Sequence, residues 1–205
     1  MKNTSAKPRT RIQEKNRARV QEAALEVFSQ HGFRGATLDQ IAEAAGLSKP
    51  NLLYYFASKE DIHVTLLEGL VDTWVAPLRD LNPGGEPQVE LLKYVQRKLQ
   101  MSRDFPRESR LFAQEIVQGA PRIADGLSTD LKALVDEKAV VIAAWADAGR
   151  IAPVDPHHLI FSIWALTQHY ADFDVQVRAV LGPARDPLLE AEVFLTTLFT
   201  RLLTP

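Results

Sequence analysis

The chain has no cysteine at all, which excludes disulfides and thiolate metal sites. It has no uninterrupted apolar run of the length needed to span a bilayer. Its basic N-terminus is not followed by the apolar stretch that a secretory signal requires, so a cytoplasmic protein without membrane contact is expected. Runs of alternating strand pattern, internal repeats and low-complexity tracts are also missing. So are the HExxH, GxSxG, P-loop and GxGxxG motifs. The five histidines are His31, His63, His157, His158 and His169. His157 and His158 are adjacent at a helix start, where their side chains point apart and make no metal pair, and His169 with Asp172 three residues on reads as a structural pair. No catalytic residue, metal or cofactor is therefore expected, and an enzyme is the weaker of the classes considered.

What is present is helical. Hydrophobic residues make up 46% of the 205 residues and charged residues 24%, enough apolar material for a substantial core. Ala23, Ala24, Val27 and Phe28 recur at three- and four-residue spacing, and Gly32 supplies a stop. Thr37 precedes a short helix that Gly46 ends, and Ser48 starts another with Pro50 in its first turn. Ser58 begins a longer one, with Asp61 in the last place of a weak capping box. After the break at Asn82-Pro83-Gly84-Gly85, further helices are predicted at roughly 86–103, 106–118, 121–148, 156–180 and 187–203. The sum is an all-α fold of about nine helices. It divides into a basic arm over 1–11, a three-helix head over 12–60 and a larger helical domain over 61–205.

Charge follows the same division. Residues 1–60 carry ten Lys/Arg against six Asp/Glu, and the rest of the chain fourteen against twenty. A basic front on an acidic body points to a polyanion as the partner of the front part.

Residues 37–56 sharpen that expectation. Leu38, Ile41, Ala42 and Ala45 give a short helix a buried face, Gly46 permits the left-handed turn, and Leu47 fills the angle between two crossed helices. Leu52 and Phe56 form the inward side of the second helix. Its outward side, Ser48, Lys49, Asn51, Tyr54 and Tyr55, is rich in hydrogen-bond donors and free of carboxylates, as suits phosphates and base edges. Lys49 and Asn51 lie in the first turn, where bases are usually reached, and the tyrosines suit phosphates. Thr37 and Lys59 sit at helix N-termini, where backbone N–H groups favour an anion. This is a helix-turn-helix for double-stranded DNA.

The run Gly32-Phe33-Arg34-Gly35-Ala36-Thr37, the block from Ile41 to Ser48 and the block from Tyr54 to Glu60 together resemble the signature of the TetR family of transcription regulators. The resemblance implies a homodimer with two recognition helices in successive major grooves, and so a near-palindromic operator with half-sites ~34 Å apart. Under it the basic arm adds contacts through Lys7, Arg9 and Arg11, or is an unstructured tail. The last two long helices become the dimer interface, with Leu159, Ile163, Leu166, Phe194, Leu198 and Phe199 divided between interface and core.

In the larger domain Trp164, Gln168 and Asp172 fall at i, i+4 and i+8 of one predicted helix. With Trp74 and Lys98 from earlier helices they can hold a small planar polar ring. The competing reading makes Trp164 and Trp74 core residues and leaves Gln168 and Asp172 solvated. The stretches around Trp74–Leu78, Ser102–Pro106, Ser109–Phe112, Asp130–Lys138 and Trp164–Phe173 resemble the pyrimidine-responsive branch of the same family. That implies uracil or thymine as the effector releasing a repressor from DNA. A hydrophobic drug-like or acyl effector, governing efflux or lipid genes, is the alternative within the family, and a helical scaffold without DNA binding is the alternative outside it.

Overall fold

A computed structural model describes residues 10–205. Among them every regular element is helical. The elements are α1 (Arg11–Gly35), α2 (Leu38–Ala44), α3 (Lys49–Tyr55), α4 (Lys59–Arg79), α5 (Pro87–Asp104), α6 (Pro106–Val117), the single turn α7 (Ala124–Gly126), α8 (Lys132–Asp147), α9 (Pro156–Asp172), α10 (Asp174–Leu181) and α11 (Pro187–Leu203). A π-helical turn, Leu127–Leu131, leads from α7 into α8. The chain forms two compact units that divide inside α4, between Glu68 and Gly69.

Local chemistry sets the boundaries in the head. Thr10 and Thr37 each accept the backbone N–H three residues on, from Gln13 and Gln40, and those glutamines bond back to the cap. Each is a complete capping box. Ser58 Oγ likewise accepts from the N–H of Asp61, but the reciprocal bond differs from expectation. The shorter Asp61 carboxylate meets the N–H of Ala57, one residue before the cap. Gly32 takes φ +64° and breaks α1. Gly46 takes φ +61°, so that its N–H and that of Leu47 close the turn on Glu43 and Ala42. A side chain there would be strained by the left-handed backbone and would press on the Arg19 guanidinium. The apolar stripe of α1 is buried as its spacing predicts, with Phe28 and Ala24 wholly enclosed.

In the second unit α5 packs against both α9 and α11. Leu91, Val95, Leu159, Ile163, Leu195 and Phe199 meet in its core. Two of the long predicted helices are interrupted. The segment 121–148 begins as a turn and the π-helical stretch before α8. The segment 156–180 breaks at Phe173, whose backbone (φ −116°, ψ 28°) separates α9 from α10. Asp174 then stands in the first turn of α10, where a carboxylate suits the helix dipole. The apolar residues of the last helices also separate. Leu159, Ile163 and Phe199 are buried within the protomer, Leu198 is partly buried, and Leu166 and Phe194 remain exposed. No helix among the described residues is long and apolar enough to cross a membrane, and none of their His, Asp and Glu side chains cluster as a metal site.

Candidate DNA interface and effector site

The head presents α3 on a scaffold of α1 and α2. Ser48 caps α3, accepting the Asn51 N–H at 3.4 Å, and Lys49 and Asn51 are exposed beside it. Tyr54 is 69% exposed and Tyr55 half-buried. The two hydroxyls are oriented from α1: Gln13 Nε2 donates to Tyr54 Oη at 2.8 Å and Asn16 Nδ2 to Tyr55 Oη at 2.9 Å. The Gln13 amide is fixed, because its oxygen accepts the Thr10 N–H. Each phenol thus uses its oxygen as acceptor inside the head and keeps its proton for an outside acceptor such as a phosphate. Arg17 bonds the Tyr55 carbonyl at 2.6 Å and lies 3.9 Å over the Phe56 ring, while Arg19 bonds the carbonyls of Ala45 and Gly46.

Three expectations change here. The outward face is not free of carboxylates in its surroundings, since Asp39 at the start of α2 holds Lys49 Nζ at 2.9 Å. The Lys59 ammonium is committed inside the head, donating to the carbonyls of Phe33 and Ala36 at 2.7 Å each and lying 4.5 Å from the Phe33 ring. It clamps the end of α1 to the start of α4 rather than standing ready for a phosphate. The Thr37 hydroxyl is exposed but engaged with Gln40. Of the arm, Lys7 and Arg9 lie outside the described residues, and Arg11 is the first residue of α1. Sequence reasoning overlooked Gln13, Asn16, Arg17 and Arg19, although their polar face opposite Ala23 and Phe28 carried the signal.

In the larger unit Lys98 is 2% exposed, with Nζ 5.5 Å from the centre of the Trp74 ring. Burial drives its pKa down to about 7, against the pull of the Asp172 charge. Trp74 is buried and its Nε1 has no acceptor. Burial raises the Asp172 carboxyl; the hydrogen bond from Ser109 Oγ at 2.6 Å and the charges of Arg110, His169 and Lys98 oppose that. Gln168 and Asp172 line a cleft of about 460 Å³ with Arg110, Phe112, Gln114 and Phe173. Lys98 thus lies near Trp74 and is coupled electrostatically to Asp172, and Gln168 shares a wall with Asp172 in a cleft that neither Trp74 nor Lys98 lines.

Trp164 departs from this group. Its Nε1 donates to Tyr94 Oη at 2.6 Å and it lines a different cleft, with Leu131, Val135, His157 and Phe161. The reason is helical geometry: steps of four residues each add ~40° of rotation, so two steps carry position 172 ~80° away from 164. The expected His169–Asp172 hydrogen bond is replaced by the one from Ser109, and the His169 ring stacks on Phe173 at 5.0 Å. His157 Nε2 lies 3.1 Å from Asp136 Oδ1. Tyr94 gave no signal in the sequence, and Ser109 and Arg110 entered only through the resemblance of their stretch, because their contacts come from packing between distant helices.

Comparison with known proteins agrees with both units. Residues 21–64 match the model described as bacterial regulatory proteins of the tetR family, and residues 67–205 match the YcdC-like protein C-terminal region. The HTH-type transcriptional regulator RutR of Escherichia coli K12 is 49% identical over 191 residues, 93% of this chain and 88% of that protein. The HTH-type transcriptional activator FasR of Mycolicibacterium smegmatis is 42% identical over 57 residues, 28% of this chain and 26% of its own. Among solved structures, a regulatory protein of the tetR family from Rhodococcus RHA1 superposes with TM-score 0.74 at 20% identity, covering 93% of this chain and 97% of its own. The ketosteroid regulator KstR2 of Mycobacterium tuberculosis does so with TM-score 0.72 at 20% identity, covering 92% and 95%. At that identity the structures attest the fold alone.

Proposed function

The chain belongs to the TetR family of bacterial regulatory proteins, and on that premise we propose that it is a cytoplasmic homodimeric repressor released from its operator by uracil or thymine. It is a DNA-binding transcription regulator with a helix-turn-helix head. The observation that carries the effector reading is a buried donor without an acceptor, Trp74 Nε1, beside the buried Lys98 side chain and near a desolvated Asp172. Buried polar groups left unpaired are costly, and a ligand that supplies their partners binds in proportion. A pyrimidine base offers two carbonyl acceptors and two N–H donors on a flat ring. Carbonyls would serve Lys98 and Trp74, and the ring N–H groups Asp172 and Gln168.

Homodimerisation is supported by apolar residues left on the surface of α9 and α11, among them Phe161, Leu166, Leu189, Val193 and Phe194. Helix α4 spans Lys59–Arg79 and contains Trp74, so a ligand beside Trp74 would act on that helix. Release requires the ligand to prefer a conformation in which the two heads are wrongly spaced, with a coupling of roughly 1–3 kcal/mol or somewhat more.

Calorimetric titration of the dimer with uracil and with thymine tests the reading, repeated on Gln168→Ala and Asp172→Ala. Micromolar binding by the wild type that weakens at least about tenfold in both variants is expected, from the loss of one or two buried hydrogen bonds. Binding that neither substitution changes overturns the pocket, and response to lipophilic compounds alone overturns the pyrimidine.

A further inference from the structure

Helix α3 is only seven residues long, and its solvent side consists of Lys49, Pro50, Asn51, Leu53 and Tyr54. Leu53 is out of keeping with the rest. The inward positions are already filled by Leu52 and Phe56, both fully enclosed, while Leu53 is 41% exposed. It follows Lys49 by four residues and Pro50 by three, so these side chains share one strip of the helix. At one edge of the strip is a cation tied to Asp39; along its middle is bare hydrocarbon.

An exposed leucine on an ordinary surface is commonplace. On a short helix applied to base edges it is selective. Every base pair offers donors and acceptors in the major groove, but only thymine offers a methyl group. An aliphatic side chain against any other edge removes water from a polar atom without replacing the hydrogen bond. The other outward groups leave little competing readout, since the Tyr54 and Tyr55 hydroxyls are held for acceptors beside the head and Lys49 is tethered.

We propose that Leu53, flanked by Pro50, is a specificity-determining residue that reads the C5-methyl of one thymine in each operator half-site. The proposal rests on α3 being the helix that enters the groove. Asn51 then supplies the polar readout and Leu53 the apolar one.

Selection from a random-sequence duplex pool with the full-length dimer gives the operator. Each thymine of the enriched half-site is then replaced singly by deoxyuridine, which deletes only the methyl. Binding is followed by fluorescence anisotropy at one fixed salt concentration. One thymine per half-site should be fixed by selection, and its replacement should weaken wild-type binding about fourfold for each half-site changed, the worth of one methyl removed from water. Leu53→Ala should bind the thymine and deoxyuridine duplexes equally while keeping the wild-type dependence on salt. Indifference of the wild type to deoxyuridine at every thymine overturns the proposal without any variant. So does a Leu53→Ala protein that keeps the fourfold discrimination. A pool that enriches no sequence overturns the groove-reading assignment of α3 itself, a separate and earlier failure.

Discussion

Replacing Lys98 by methionine should make the protein more stable and deaf to its effector. The ammonium is buried beside the Trp74 ring, and burial lowers its pKa from 10.5 to about 7. In the unfolded chain the lysine stays charged up to its ordinary pKa, so unfolding takes up a proton anywhere between pH 7 and pH 10.5. The sign follows: the penalty is fully present below pH 7 and is relieved as pH rises through that window. At ~1.4 kcal/mol per unit it is on the order of 4 kcal/mol near neutrality and about half that at pH 9. Methionine has similar length and no charge to desolvate, so Lys98→Met removes the penalty at little cost in packing. For a chain of this size ~2–4 °C per kcal/mol converts it to a rise in Tm of ~8–16 °C at pH 7, shrinking by about half at pH 9. Thermal unfolding followed by circular dichroism at both pH values reads the effect, and calorimetry reads the lost effector binding. A variant that is no more stable than the wild type at pH 7, with a difference that does not change by pH 9, refutes the reasoning.

Two further outcomes follow from the head. Lys59→Ala leaves the carbonyls of Phe33 and Ala36 without their donor and should cost about 1–3 kcal/mol of stability in urea unfolding; a loss of DNA affinity with unchanged stability would restore Lys59 to the role of a phosphate contact. Tyr54→Phe and Tyr55→Phe each delete one proton aimed outward and should weaken operator binding up to about tenfold, equally for all sequences and without altering the salt dependence, because no charge is lost. Sequence-dependent losses in anisotropy titrations would instead make either tyrosine a base contact.

The head was almost wholly legible in the sequence because its determinants are local. Thr37, Gly46, Ser48 and Ser58 act on backbone groups within four residues, and the stripe of Ala23, Ala24, Val27 and Phe28 fixes one helix face whatever it packs against. The structural tie of Lys59 was not foreseen because its carbonyl partners lie 23 and 26 residues earlier, at the far end of α1. The effector site was legible only in part for the same reason. Lys98 between Val95 and Leu99 announces a buried lysine, but nothing in the sequence brings Ser109 to Asp172 or Tyr94 to Trp164. Trp164 parts from Gln168 and Asp172 through an approximation, since i, i+4, i+8 is a straight stripe only if the slow rotation of the row is neglected.

Gln13, Asn16, Arg17 and Arg19 fasten α1 to the tyrosines of α3 and to the turn before it. A head riveted in this way offers a regulator no soft joint: its reading edge cannot be blunted without unmaking the fold. On the proposed dimer, control then falls on the gap between two intact tips, as with calipers whose jaws are hardened and whose adjustable quantity is their span.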